Sequence, residues 1–151
     1  MTAFKLEKST KQTFISSGSA LANGSREAGD VDNSTALEPA VDLQFSLHYA
    51  VAPSAGDKIA DVYMLIGDGE ASESIPTGGD GTTGADVTPQ AENWVGALYS
   101  VNPSTSVDEV LSIPGVRLGP GTNRLVLLNG SGQSFALGWT AVGEPIRIQG
   151  V

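Results

Sequence analysis

AVDLQFSLHYAVA, residues 40–52, organises this chain. Val41, Leu43, Phe45, Leu47, Tyr49 and Val51 fall on every second position, with Asp42, Gln44, Ser46, His48 and Ala50 between them. A period of two puts the six apolar side chains on one face of a strand and the polar set on the other. On a helix the same spacing would scatter them around the circumference, because a turn takes about 3.6 residues. A slip of one residue would place Phe45 and Tyr49 in water, so residues 41–51 can template a sheet.

Downstream, apolar runs alternate with turn chemistry. PSAGD (53–57) is a turn, and DVYMLI (61–66) is a strand whose continuous apolar run predicts cover on both faces or a partner on the outer one. NWVGALYSV (93–101), VDEVLSI (107–113), RLVLLN (124–129), SFALGWT (134–140) and PIRIQ (145–149) read as further strands. Asn102 to Thr105, Pro114-Gly115 and Gly119-Pro120-Gly121 punctuate them, and NGSGQ (129–133) reads as a hairpin link into residues 134–140. No stretch carries a capped amphipathic helix. Seven or eight short strands at this spacing predict an all-β antiparallel β-sandwich, with a jelly roll as one form of it. Residues 69–90 contain almost nothing to bury, and a loop of that length reads as an excursion toward a partner.

Upstream the composition changes. TFISS (13–17) can form a short strand around Phe14 and Ile15, and Asn23-Gly24 is a turn signal. Beyond them only Leu21, Val31 and Leu37 offer anchors. Such a segment buries too little to fold alone, so residues 1–40 are expected to be an extended N-terminal arm and residues 41–151 the sandwich domain.

Composition narrows the function. A chain of 151 residues can bury roughly 68–70% of its unfolded surface as one domain. The absence of cysteine excludes disulfides and thiolate metal sites. No apolar run approaches a membrane span, and MTAFKLEKSTK lacks the apolar core of a signal peptide, so neither membrane insertion nor signal-directed secretion is expected. Seventeen acids against eight bases give a net charge of −9, which opposes binding to nucleic acid and anionic lipid; it reads first as solubility, and in the sharper reading as the outer surface of something that must stay dispersed.

The residues that could carry chemistry are few. His48 is the only histidine and falls on the polar face of the organising strand, where a solvated or hydrogen-bonded role is expected. The carboxylate pairs Asp108 with Glu109 and Asp68 with Glu70 have the residue types of glycoside hydrolysis but no accompanying motif. Asp30-Val31-Asp32-Asn33 and Gly78-Gly79-Asp80-Gly81 supply hard oxygen ligands for calcium. Neither matches an EF-hand, and the second matches a calcium β-roll nonapeptide only in part, with Thr83 in place of the ligand aspartate. Trp94 and Trp139 are the residues that could stack on sugars, although their apolar neighbours predict core packing. Tyr49, Tyr63 and Tyr99 divide in the same way. The expectation is therefore a non-enzyme, with no catalytic, cofactor-binding or metal residues and no cofactor.

SSGSALANGS (16–25), APSAGDKIADVYML (52–65) and NPSTSVDEVLSIPGVRLGPGTNRLVLLNGSGQSF (102–135) resemble a family of small tailed-phage virion proteins. Residues 113–133 approximate that family's pattern LPG-x-x-L-x-PG-x-x-x-x-x-L-x-N-x-SGQ, with Ile113 for its leucine and Gly119 standing before Pro120-Gly121. The resemblance covers about two-thirds of the chain and rests on turn and strand patterns. It implies a β-domain after an extended N-terminal segment, and a structural particle protein, in first place a capsid cement or decoration protein. The implied partners are the major capsid protein and the chain itself as a symmetric dimer or trimer, on the capsid exterior, after synthesis in the host cytoplasm. Residues 1–40 and 69–90 would be the contact elements. The rival is a head-fibre or tail-associated module that uses Trp94 or Trp139 on host glycans.

Overall fold

The computed structural model describes residues 4–66 and 93–150. Among them nine strands form two antiparallel sheets: β1 (Phe4–Lys8), β2 (Gln12–Ile15), β3 (Arg26–Asp32), β4 (Ala40–Leu47), β5 (Lys58–Leu65), β6 (Trp94–Tyr99), β7 (Glu109–Arg117), β8 (Thr122–Asn129) and β9 (Thr140–Gly150). One sheet runs β1-β9-β4-β7 with β2 also on β9, and the other runs β3-β8-β5-β6. The pairings are nested: β1 and β2 take β9, β3 takes β8, β4 takes β7, and β5 takes β6. The β4–β9 and β5–β8 ladders then close each sheet. The fold is an antiparallel, sandwich-like all-β curl. No described residue lies in a helix long and apolar enough to cross a membrane.

The organising strand sets the inside. Val41, Leu43, Phe45, Leu47 and Tyr49 are buried, while regular pairing stops at Leu47 and Val51 is exposed. Ile59, Val62 and Met64 of β5 and Leu125 and Leu127 of β8 join them in one core with Phe135 and Trp139. Tyr49, Phe135 and Trp139 stack edge to face at centroid distances of 5.8 and 6.2 Å. The run in β5 is apolar on both faces for a visible reason: outward Tyr63 and Leu65 form a second small cluster with Val126.

The N-terminal stretch departs from the extended arm expected of it. Within residues 1–40, β1 and β2 line the edge of β9 and β3 lines the edge of β8. Phe14, Ile15, Leu21 and Val31 are buried in the main core. Four well-placed apolar residues suffice because the strands lean on edges already formed. Gly29 brings β3 close to β2, since a Cβ there would run into the Phe14 carbonyl. That close approach draws the two sheets together along one side.

Pro145 explains why β1 and β2 are two strands. It sits inside β9, where a proline normally breaks a ladder. The Pro145 carbonyl accepts the Ser9 N–H at 2.8 Å, so its missing N–H faces the same edge, opposite the gap between β1 and β2. The lost donor falls where no ladder exists.

Three other boundaries shift. β7 runs through Pro114-Gly115, because a bulge with Gly115 at φ 67° absorbs the expected turn on an edge strand. Residues 129–133 do not close a hairpin: they carry the chain from β8 in one sheet toward β9 in the other. Residues 134–139 form no regular strand; Phe135 bridges Leu21 and Tyr49, and the Trp139 Nε1 donates to the Ser19 carbonyl at 2.9 Å. The excursion expected over residues 69–90 lies outside the described residues.

Candidate interaction surface

A buried carboxylate organises the link between β6 and β7. Glu109, the first residue of β7, is 6% exposed. Its Oε1 accepts the backbone N–H groups of Val101 at 2.6 Å and Asn102 at 2.7 Å. Its Oε2 accepts the Tyr49 hydroxyl at 2.6 Å and the Ser100 hydroxyl at 3.1 Å. Burial pushes this carboxyl upward, but the bonds from Tyr49, Asn102, Val101 and Ser100 together outweigh it and hold Glu109 below the ordinary value. Burial, reinforced by the Glu109 charge, drives the Tyr49 hydroxyl well above its usual range. The pair is thus a donor phenol locked on an ionised carboxylate. Ser100 is pinned from the other side as well, exchanging backbone bonds with Gly56 and Asp57.

Around this clamp exposed valines stand beside the polar Asn102, Ser104 and Asp108. Val101 is 72% exposed, Val107 68% and Val110 56%, and with Leu111 they line an open concavity of 660 Å³. A cluster of exposed branched aliphatics is a candidate contact surface. Tyr99, at the end of β6, is a further large exposed side chain.

Beside the rim lies the chain's one histidine. The His48 Nδ1 is 2.9 Å from Asp108 Oδ1, and the Ser46 hydroxyl donates to Asp108 Oδ2 at 2.9 Å. The His48 bond, then the Ser46 bond, hold Asp108 below the usual aspartate value. The order of contacts decides the chemistry. Activation of a serine needs its hydroxyl on the base, with the carboxylate behind the base. Here the carboxylate sits between the two, so the cluster ties β4 to the start of β7. Asp108 and its neighbour Glu109 are held by separate partner sets, which gives no shared carboxylate pair.

The other sequence candidates also have structural occupations. Asp30 forms a fork-to-fork pair with Arg124, at 2.6 and 2.8 Å, and Asp32 accepts the Ser34 N–H at 2.8 Å. Buried Asn33 spends its amide on Glu38 and Gly119, bracing the β3–β4 loop. Residues 30–33 therefore do not converge on a cation, and among the described residues no three His, Cys, Asp or Glu side chains are grouped to hold a metal. Residues 78–81, Asp68 and Glu70 lie outside the described residues. Trp139 is wholly buried, whereas Trp94 on edge strand β6 is 49% exposed and donates its Nε1 to Asp61 at 3.1 Å. Tyr49 lies in the main core, Tyr63 is covered in the small outer-face cluster, and Tyr99 is exposed.

Sequence reasoning missed the rim and its clamp. Val101, Val107 and Val110 look like strand interior by type, and nothing local distinguishes a buried glutamate from a solvated one. The three fully or nearly fully buried asparagines, Asn33, Asn123 and Asn129, were equally silent. Each braces a loop with its amide: Asn129, for example, donates to the Leu21 and Gln133 carbonyls at 2.8 Å. No protein-family model matches the sequence, and no curated protein matches it.

Proposed function

We propose that this chain is a non-enzymatic structural protein of a tailed-phage virion: a capsid cement or decoration protein that binds the outer capsid surface and bridges neighbouring subunits. The observation that carries the docking reading is the exposed apolar rim of Val101, Val107 and Val110 around buried Glu109, which accepts the Val101 and Asn102 N–H groups. The virion assignment comes from the resemblance of residues 16–25, 52–65 and 102–135. The nested pairings fit the jelly-roll form of the sandwich: with β1 and β2 counted as one interrupted strand, a single folded ribbon yields both sheet orders. Net charge −9 suits a surface facing solvent rather than packaged nucleic acid. The partners in this reading are the major capsid protein and the chain itself as a symmetric dimer or trimer, with no cofactor.

Of the two contact elements expected in the sequence, residues 69–90 lie outside the described residues, and the role of residues 1–40 changes. Strands β1, β2 and β3 of that segment are paired in the sheets, so in this reading the rim takes the capsid-docking role. Capsids stripped of the protein and refilled with a Val101→Asp, Val107→Asp double variant test this. Occupancy should fall at least about tenfold, since charges would be buried in an apolar contact, while the melting transition stays in place. Undiminished occupancy would remove the rim from the account.

The exposure of Trp94 favours one second reading, a head-fibre or tail-associated module binding host glycans. A glycan array with tryptophan quenching separates the two. Glycan-dependent quenching lost in Trp94→Phe would establish the second reading, and its absence leaves Trp94 as part of edge strand β6.

A further inference from the structure

The N-terminal and C-terminal strands extend beyond the sandwich together. β4 accompanies β9 only as far as the Ala40–Ile146 pair. From Arg147 to Gly150, β9 pairs with β1 alone, through Glu7–Arg147 to Phe4–Gly150. The two make a short two-stranded ribbon continuing past the sheet, and such a ribbon is marginal by itself. Among the described residues nothing pairs with the outer edge of β1, on which Leu6 is 70% exposed. The remaining sheet edges are better covered. β3 approaches β2 at Gly29, and β6 approaches β7 where Gly96 meets Ile113.

We propose that the open edge of β1 pairs antiparallel with β1 of a second copy, about a two-fold axis at Leu6. The hydrogen-bond alternation sets up the edge. Ser9 points its N–H at β9, onto the Pro145 carbonyl. Backbone groups alternate sides along a strand, so Glu7 and Lys5 also face β9, and Lys8, Leu6 and Phe4 turn their N–H and C=O groups outward. Pairing two copies at Leu6 satisfies all of these: Leu6 with Leu6, and Phe4 with Lys8 in both directions.

Charge fixes the register. In this alignment Lys5 of each copy lies directly opposite Glu7 of the other. The two side chains already share one side of the strand, as their 2.6 Å ion pair within the chain requires. Sliding the pair by two residues either way sets Lys5 against Lys5 or Glu7 against Glu7, which like-charge repulsion opposes. One register is therefore self-complementary and its neighbours are penalised, as an isologous two-fold contact demands. The pairing deepens the homo-oligomer part of the proposed function and rests on it. It also gives the ribbon two more strands.

Sedimentation velocity of the full chain, from micromolar to millimolar concentration, tests the pairing. Wild type should show a concentration-dependent monomer–dimer equilibrium. Lys5→Glu places like charges opposite each other twice and should weaken the dimer about tenfold. The Lys5→Glu, Glu7→Lys double variant restores complementarity and should recover the wild-type constant. Leu6→Pro removes an outward N–H while leaving the Lys5 and Glu7 bonds to β9, and should abolish the dimer. Matched melting curves check that each variant is folded, and the charge-swap pair decides alone where Leu6→Pro is not. A wild type that stays monomeric overturns both the pairing and the homo-oligomer reading. An oligomer indifferent to Lys5→Glu, or a double variant no better than the single, overturns the β1 pairing and leaves another interface to form the oligomer.

Discussion

At the scale of single residues, stability concentrates in buried polar side chains that tie loops down. Glu109 is the clearest, because truncation strands four donors at once: two backbone N–H groups, the Tyr49 phenol and the Ser100 hydroxyl. Glu109→Ala should cost about 2–4 kcal/mol in urea unfolding. The sign of its pH dependence follows from its depressed carboxyl. The folded state holds fewer protons than the unfolded state, so the contribution is complete above the ordinary glutamate value near 4.5 and is lost as pH falls through the folded value. Tyr49, raised by burial, has the opposite sign, and its contribution fades as pH rises past the ordinary tyrosine value of 10. Unfolding free energy should therefore drop at both extremes, and Glu109→Gln should flatten the acid limb. Leu37 predicts the reverse effect of mutation. It is 61% exposed and sits at φ 50°, a region that disfavours a leucine side chain. Leu37→Asn should leave stability unchanged or raise it by up to ~1 kcal/mol, measured in the same titration.

At the scale of elements, the close approach of β2 and β3 is the most sensitive junction. Gly29→Ala would drive a methyl group into the Phe14 carbonyl, so the strands must part. About 1–3 kcal/mol should be lost, with faster hydrogen exchange at residues 12–15 than at β4. This junction also shows what the chain discloses about itself. β4 was legible because its inward face is filled at every second residue from Val41 to Tyr49. β5 and β8 were legible as dense apolar runs. β3 was not, since REAGDVD turns only Val31 into the core and brings a glycine to the close approach. β1 was hidden for a related reason: its ribbon continues beyond the core. Turn chemistry misled in a consistent way. Residues 129–133 specify a tight change of direction, yet nothing in NGSGQ says which sheet receives the next strand. Pro145 and Gly143 made one eleven-residue strand look like the start of a short one, because the compensating gap at residues 9–11 lies at the other end of the sequence. The rim was illegible for the same nonlocal reason. Whether a valine in an edge strand or its loop faces core or water depends on where the second sheet ends.

At the scale of the whole molecule, the strands within residues 4–40 are part of the domain. Their deletion should abolish the cooperative thermal transition in circular dichroism, because β9 and β8 would each lose an edge partner and the core would lose Phe14, Ile15, Leu21 and Val31. A deletion that melted like the intact chain would mean that residues 41–151 fold alone. In the proposed function, the exposed valines around Glu109 are the surface with which this acidic sandwich docks on a capsid. Cryo-electron microscopy of the purified particle that carries the protein tests this most directly. Density for the sandwich is expected on the capsid exterior at symmetry-related sites, with Val101, Val107 and Val110 against the shell across a subunit boundary. Density confined to the tail or to a head fibre, or a capsid contact made by another face with the rim left in solvent, would contradict it.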